Sequence, residues 1–524
     1  MALFGAGTWS PTLLTIIVGA AAWRIIPWLV WTYRQWSALP PGPKGMPIVG
    51  NVFQMMTPKT WLLLTEWTKT YGPIYSLNIV GIPVVVIGSA EVAADLLDRR
   101  ADSFSDRPRF VMGSELMSRE KFVLYTPYNA HFIRLRRAVQ DGFSSRAVKA
   151  YSPIQEREAA IMLRNFMKDP AGWEQELERA SSGVILSTLY GWPSISSVSH
   201  PAVVGVNKIL REIEIASMPG ASLVDIFPAL LRLPKPLSKW KQRGDQLYHE
   251  FTALFTGLLE GVKQNEAQVS LTRSSPPSLL LDRIAQGEMS LEDAAWMAGT
   301  LFAGGAETTA VILKMFVLNM VMRPEIMGRA QAEIDLVVGR DRMPTMDDRD
   351  RLPYLTAVIR EVIRWYTISI YAMPRQCKQD EWYRGYLIPK GSIVLPNVWG
   401  IQRDPAVYGD ADAFRPERFL DENGAHNVVV ADTHGHGHVT FGFGKRMCPG
   451  SYLANQTLFI SAASLLWAFT FKNPVDKSGR PLVSADDSIA SNGILIHPIP
   501  FRCEFVPRSE QVQILIAARE LERS

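Results

Sequence analysis

The chain has 524 residues, of which 47% are hydrophobic and 20% charged, and its formal net charge is +4. This composition is typical of a globular protein and gives no indication of a nucleic-acid partner. The three cysteines (Cys377, Cys448 and Cys503) are odd in number and include no C-x-x-C pair. They argue against a disulfide framework and indicate a reducing compartment.

The amino terminus predicts a membrane anchor over residues 1–36. Residues 1–23 carry no charged side chain, and about 20 apolar residues suffice to cross the hydrocarbon core of a bilayer. Arg24 and Arg34 follow on one side of this run, which predicts that the rest of the chain is cytoplasmic. A cleaved signal peptide is the alternative, because Ala20-Ala21-Ala22 satisfies the small-residue rule for cleavage, but the basic first region of such peptides is missing.

Three segments of the next 200 residues have distinctive patterns. Residues 37–44 contain Leu39-Pro40-Pro41-Gly42-Pro43, which predicts a stiff, extended hinge because proline does not continue a helix. Ile74–Ile79 and Pro83–Ile87 predict two paired strands. Residues 213–236 are apolar and interrupted by prolines, which is typical of a hydrophobic cover or of a loop that touches a membrane.

A helix predicted from Tyr128 to Val139 is the most basic of the chain. Phe132 and Arg136 lie four residues apart and therefore share one face. Arg134 and Arg137 lie beside them, and the simplest interpretation of such a run is a solvated face.

The longest predicted helix begins at Ser290 and ends at Met322. Its middle, residues 303–309, reads Ala-Gly-Gly-Ala-Glu-Thr-Thr, a composition that suits the centre of a helix poorly. The glycines alone are consistent with a close helix crossing. A buried carboxylate is costly unless it has a use, so Glu307 and Thr308 are candidate functional residues, with Thr309 as the neighbouring alternative.

The glycine-rich stretch His438–Gly450 places Cys448 just before a predicted helix, Ser451–Trp467. A thiol at a helix start lies near the positive end of the helix dipole and near free N–H groups, which favour the thiolate. A buried, inert cysteine is one alternative. A zinc site is another, formed by Cys448 with three nearby histidines, namely His434, His436 and His438.

The pattern Phe441-x-x-Gly444-x-Arg446-x-Cys448-x-Gly450 resembles the haem-binding signature of the cytochrome P450 family. The resemblance extends from Leu39 to about Arg508, through four motifs in the expected order. It implies a mostly α (α+β) fold in which one haem domain with small β-sheets spans residues 45–510. The membrane helix and the hinge precede this domain, and a tail over residues 511–524 follows it.

The resemblance also implies roles for single residues. Cys448 would be the axial ligand of the iron of haem b and Phe441 an apolar wall, while three arginines would bind the haem propionates, namely Arg136, Arg375 and Arg446. Phe132 stands where the family usually has a tryptophan that contacts a propionate, so only Arg136 is carried over from that helix. Glu307 and Thr308 would deliver protons during dioxygen activation.

A buried charged triad is implied as well. In a predicted helix, Leu355–Trp365, Glu361 and Arg364 lie three residues apart and can pair on one face. On a protein surface such a pair contributes only about 0–1 kcal/mol. The resemblance adds Arg418, and the three residues would together stabilise the segment below the haem.

The implied activity is that of a monooxygenase that inserts one oxygen atom of O2 into a lipophilic organic substrate. Electrons would come from NADPH through an NADPH–cytochrome P450 reductase, docked on Arg134, Arg137 and Lys445. The implied location is the endoplasmic reticulum membrane, with a single span and a cytoplasmic catalytic domain. Several patterns are similar to fungal members from secondary metabolism, and xenobiotic oxidation is the related possibility. The alternatives are an O2-independent haem-thiolate isomerase or dehydratase, and a non-enzymatic haem sensor.

Overall fold

The fold is described from a computed structural model, which covers residues 36–218, 221–264, 275–426, 430–484, 489–491 and 495–521. These residues are mostly helical. The helices of ten or more residues are α1 (Thr60–Tyr71), α2 (Ala130–Gln140), α3 (Ser152–Lys168), α4 (Trp173–Tyr190), α5 (Pro201–Ser217), α6 (Lys239–Gln264), α7 (Pro276–Ala285), α8 (Leu291–Met322), α9 (Pro324–Val337), α10 (Pro353–Tyr366), α11 (Ser451–Ala468) and α12 (Glu510–Leu521). Shorter helical turns lie at Val52–Met55, Ala90–Ala93, Ala94–Arg99, Ala101–Phe104, Val111–Leu116, Asp141–Phe143, Ala147–Tyr151, Pro170–Gly172, Leu223–Ile226, Pro228–Arg232, Lys235–Leu237, Met346–Arg351, Val398–Ile401, Pro405–Tyr408, Pro416–Phe419 and Gly444–Arg446.

In the described part of the chain, ten short strands form four small sheets. The strands are β1 (Ile74–Ile79), β2 (Ile82–Ile87), β3 (Arg375–Gln376), β4 (Glu381–Tyr383), β5 (Tyr386–Ile388), β6 (Ile393–Pro396), β7 (Phe469–Lys472), β8 (Ile489–Ser491), β9 (Ile496–Pro498) and β10 (Glu504–Pro507). The largest sheet has the order β1-β2-β6-β3, and the two-stranded sheets pair β7 with β10, β4 with β5 and β8 with β9. The antiparallel pairing of β1 with β2, with Ile74 opposite Ile87, confirms the predicted pair of strands.

Helix α8 is the central element of the fold. Its 32 residues extend about 48 Å. The first half packs in a core with α2, α4, α5 and α6, and the second half packs in a core with α3, α10 and α11. Ser290 caps the helix, since its hydroxyl accepts from the N–H of Asp293 at 3.0 Å, and the predicted bounds are confirmed.

Among the described residues, α8 is the one helix long and apolar enough to cross a membrane. Of its most apolar window, 72% is buried inside the protein, so its apolar side chains are explained by its place in the core. The predicted anchor over residues 1–36 lies almost wholly outside the described residues.

The predicted hinge, residues 37–44, is helical at residues 37 and 38, contrary to the prediction, but is not helical over residues 39–44, where it lies against the sheet. Ser76 donates from its N–H to the carbonyl oxygen of Pro41 at 3.0 Å and from its hydroxyl to that of Pro40 at 2.6 Å. A Cβ on Gly42 would lie 1.9 Å from the carbonyl oxygen of Ser76. Glycine is therefore required where the hinge meets β1.

Two segments differ in structure from their sequence patterns. The apolar stretch 213–236 begins inside α5 and contains short helical turns from residue 223 onward; Phe227 between these turns is exposed, as is Leu237 directly after the stretch. Residues 511–524 were expected to be a tail, but α12 covers most of them, and its Val512 and Ile516 are buried in the core around the second half of α8.

Candidate active site

Cys448 lies in the loop that leads into α11, and this loop is held by backbone contacts. The turn Gly444–Arg446 precedes the cysteine, whose N–H donates to the carbonyl oxygen of Phe441 at 2.8 Å. The thiol lies deep in the fold, and its side chain nevertheless keeps accessible surface. A thiol that is surrounded by protein atoms and keeps accessible surface can be reached by a ligand.

The ionisation of Cys448 differs from the sequence-based expectation. Burial raises the pKa of the thiol above its ordinary value, while the N–H of Gly450 and the charge of Arg136 lower it by less. The helix start therefore does not suffice to make a thiolate here. A bound metal cation deprotonates a coordinating thiol outright, so the site favours a thiolate when the sulfur binds a metal.

Four arginines converge beside this loop, and each donates to backbone carbonyl oxygens. Arg446 donates to the carbonyl oxygens of Ser105 at 2.9 Å and Thr126 at 2.7 Å. Arg375 donates to that of Phe443 at 2.6 Å, and Arg136 donates to that of Met447. Arg107 donates to the carbonyl oxygens of Leu124, Met373 and Pro374, each at 2.8 Å. Within the described part of the chain, none of the four forms an ion pair with a carboxylate. The sequence predicted three of them as propionate ligands but missed Arg107, because no spacing marks it in a segment without periodicity.

Burial makes these charges costly. It lowers the pKa of Arg446 to about 9 and that of Arg375 to about 10, and neighbouring arginines add to the effect at Arg446. Burial, Arg446 and Arg375 lower the pKa of Arg107 in the same way. The charge of Asp106 opposes the shift at Arg107 and Arg446, and that of Asp98 opposes it at Arg375, but neither carboxylate pairs directly with these arginines. Buried cations without a paired counter-charge are unfavourable. The cluster therefore suits a ligand with carboxylates, and together with the Cys448 thiol it fits an iron porphyrin with two propionates.

The aromatic side chains around this loop have separate partners. The guanidinium carbon of Arg446 lies 3.7 Å from the ring centre of Phe132, so the phenylalanine that replaces the usual tryptophan contributes a cation–π contact. Phe441 contacts the rings of His436 and His438, at centroid distances of 5.0 and 5.4 Å.

The glycine-threonine segment gives α8 one open side. Gly304 is exposed inside an otherwise buried helix, and a Cβ placed on it would meet nothing within 4 Å. The hydroxyl of Thr308 donates to the carbonyl oxygen of Gly304 at 2.7 Å. Thr309 is buried, with 6% of its surface exposed. Thr308, and not Thr309, therefore shares the open side of α8 with Gly304.

Glu307 belongs to a cluster that sequence analysis did not find. Its carboxylate lies 3.8 Å from Nε2 of His497 in β9, and ligand atoms of Glu214, Glu307 and His497 all lie within 4.8 Å of one another. Burial, followed by the charges of Glu214 and Glu178, raises the pKa of Glu307 to about 7, against the opposing charge of Lys314. A carboxyl group with this pKa can both hold and release a proton near neutral pH.

The structure does not bring together the residues of the zinc alternative. In the described ranges, Glu214, Glu307 and His497 form the one cluster of three side chains that could hold a metal. His434 instead lies 3.2 Å from Asp98, and His436 stacks on His438.

The raised pKa of Glu307 predicts a pH-dependent gain of stability for Glu307→Gln. Between pH 4.5 and about 7 the folded state binds more protons than the unfolded chain, so the free energy of unfolding falls as pH rises through this window. The glutamine side chain does not titrate, so the variant does not lose stability in this way. Its free energy of unfolding relative to that of the wild type should therefore be roughly 2 kcal/mol higher at pH 8 than at pH 5. Urea unfolding at the two pH values measures this, and an equal effect at both would contradict the raised pKa.

Glu361 lies between two arginines in the interior. Arg364 donates to it through Nε at 2.7 Å and Nη2 at 2.8 Å, and Arg418 donates through Nε at 3.1 Å. The side chains of Glu361 and Arg364 are 0% exposed and that of Arg418 is 5% exposed. Arg418 also donates to the carbonyl oxygens of Asp410 and Ala413. The cluster thereby connects α10 to the segment that precedes the Cys448 loop.

Comparison with known proteins agrees with this geometry. Residues 40–505 match the family model "Cytochrome P450". The chain is 42% identical to cytochrome P450 monooxygenase 58 of Postia placenta, over 92% of this chain and 91% of the relative. It is 38% identical to a cytochrome P450 monooxygenase of Armillaria gallica (92% of each chain), and 36% identical to cytochrome P450 monooxygenase claR of Ampulloclitocybe clavipes (92% and 88%). The chain belongs to the cytochrome P450 family and is an oxidoreductase of the monooxygenase type.

Proposed function

We propose that this protein binds haem b through Cys448 and inserts one oxygen atom of O2 into a lipophilic organic substrate. The observation that carries the proposal is the convergence of an accessible thiol with four arginines, two buried and two half-buried, that pair with no carboxylate in the described ranges. When bound, the haem supplies the reductive activation of dioxygen, and the thiolate favours cleavage of the O–O bond.

The protein's own groups position the cofactor and deliver protons. Arg107, Arg136, Arg375 and Arg446 are the groups that would hold the propionates. The Thr308 hydroxyl is positioned by its hydrogen bond to the carbonyl oxygen of Gly304 and lies on the open side of α8, where it can accept a hydrogen bond. The Glu307 carboxyl group receives protons from the side of Glu214 and His497 and passes them toward Thr308.

The experiment that tests this function uses Thr308→Ala in enzyme supplied with NADPH and a reductase. Product per NADPH consumed should fall and hydrogen peroxide should rise, because proton delivery fails, while haem content and substrate binding stay near those of the wild type. Thr300→Ala is the matched control, since Thr300 makes the same backward bond to a helix carbonyl oxygen, that of Trp296, at 2.8 Å. Full coupling in Thr308→Ala would reject the role, and uncoupling in Thr309→Ala instead would move it by one residue.

Electrons would come from NADPH through an NADPH–cytochrome P450 reductase. Arg134 and Arg137 are exposed on one side of α2, where they can attract an acidic partner. Lys445, the third predicted docking residue, pairs with Asp102. The docking surface is therefore assigned chiefly to Arg134 and Arg137.

Exposed apolar side chains indicate the chemical class of the substrate. The exposed apolar side chains of residues 221–237, among them Phe227 and Leu237, suit contact with a lipophilic substrate or with a membrane. The relatives named above are fungal, and within that setting we propose a role in secondary metabolism or in xenobiotic oxidation.

We place the protein on the endoplasmic reticulum membrane, with residues 1–36 as its single span and the catalytic domain in the cytoplasm. Deleting residues 1–36 should move most of the protein from the membrane to the soluble fraction after cell fractionation, with unchanged haem content. Partial binding through the apolar segment 221–237 is compatible with this proposal. A truncated protein that stays wholly in the membrane fraction would contradict the single anchor, and secretion of the full chain would favour the signal peptide.

A further inference from the structure

A cavity of about 420 Å³ lies between the turn Ala147–Tyr151, α10 and α11. It shares no residue with the Cys448 thiol or the four arginines beside it. Three cationic side chains, Lys149, Arg349 and Arg360, line it together with two histidines, and none of its lining residues is aspartate or glutamate. A cavity of this size is large enough for a small-molecule ligand.

Arg360 is the residue that most needs a counter-charge. Its sequence neighbour Glu361 is engaged by Arg364 and Arg418. The Nη1 atom of Arg360 is buried and has no hydrogen-bond partner in the described part of the chain. Burial, and then the charge of Arg349, lowers the pKa of Arg360 to about 10. A buried donor without a partner requires an explanation, and a bound anion supplies one.

Gln456 adds an independent sign of a ligand. Its side chain lines the cavity and is 8% exposed, and its Oε1 atom is buried without a hydrogen-bond partner. The oxygen and nitrogen of a glutamine amide can exchange places by a flip of the side chain. The amide can therefore turn its NH2 group toward an anion. Lys149 is exposed and supplies a cation nearer the surface.

We propose that this cavity binds a small oxyanion of the phosphate type, such as the diphosphate group of a soluble metabolite. Arg349 lies close enough to lower the pKa of Arg360, so the two guanidinium groups together suit a ligand with more than one negative charge, and the guanidinium fork matches phosphate oxygens. Because the cavity is concave, a free anion fits it better than the flat surface of a partner protein.

Calorimetric titration of the haem-loaded full-length protein with sodium pyrophosphate at low ionic strength tests the proposal. Arg360→Gln and Lys149→Gln should each weaken binding by about tenfold or more. Arg146→Gln is the matched control, because Arg146 is exposed at the start of the same turn as Lys149 but does not line the cavity, and it should change the affinity less than about twofold. Lys149→Gln keeps the test decisive if Arg360→Gln does not fold.

Several outcomes would overturn the proposal. Absence of saturable binding at millimolar pyrophosphate would reject the site, and equal weakening by Arg146→Gln would show nonspecific attraction to a basic surface. If a stoichiometric amount of the reductase displaced bound pyrophosphate, the natural occupant of the cavity would be an acidic side chain of the reductase, and the proposal of a free anion would be wrong.

Discussion

Replacing Glu361 by alanine is expected to abolish the accumulation of haem-loaded protein. The carboxylate is fully buried, accepts from Arg364 and Arg418, and also accepts from the N–H of Arg415 at 2.8 Å. Its loss leaves two arginines without a counter-charge in the interior, at a cost of about 3–5 kcal/mol. This is a large part of the roughly 5–15 kcal/mol by which a folded protein is stable.

The matched control is Glu417→Ala. Glu417 is next to Arg418 in sequence and pairs with Arg329 at 2.6 Å, but the two side chains are 41% and 57% exposed. An exposed pair contributes about 0–1 kcal/mol, so this variant should accumulate like the wild type. Haem content per protein after expression separates the two. Equal yields of haem-loaded protein from the two variants would show that the buried cluster stabilises the fold no more than an exposed ion pair.

Cys448→Ser is expected to remove all NADPH-dependent oxygen insertion. A serine oxygen would donate less electron density to iron than a thiolate and would not promote O–O cleavage to the same degree, while the arginine cluster remains to bind the propionates. Some porphyrin should therefore stay bound to an inactive protein. Cys503→Ser is the control, because Cys503 is a half-buried free cysteine beside β10, and it should keep its activity. Measurable product from Cys448→Ser would remove the central role of this sulfur.

Short sequence patterns predicted the bounds of α8 and the loop before α11, because both are determined by residues close together in the chain. The bounds of α8 follow from its cap at Ser290, its apolar composition and the following Pro324. The loop before α11 was predicted because five fixed residues within ten positions form the family signature. The charged cluster of Glu361 was predicted through the resemblance, since a glutamate and an arginine three residues apart occur on many helices.

Other features depend on tertiary contacts that no local pattern reveals. Arg107 and His497 reach the site from a loop and a short strand that are distant in sequence from its motifs. The protonation of Cys448 depends on burial, which raises the pKa of the thiol, and on nearby polar and charged groups, which lower it. The sequence indicated only the groups that lower the pKa. The sequence analysis also missed the packing of α12 on the core, because the sequence of this helix has only a weakly defined apolar face.

The absorption spectrum of the reduced protein with carbon monoxide tests the central claim most directly. If Cys448 binds the iron as a thiolate, the wild type shows the strongly red-shifted Soret band of thiolate ligation, and Cys448→Ser loses this band. The Cys503→Ser control keeps it. A Soret band that is the same in the wild type and in Cys448→Ser would contradict the assignment of the axial ligand and, with it, the proposed function.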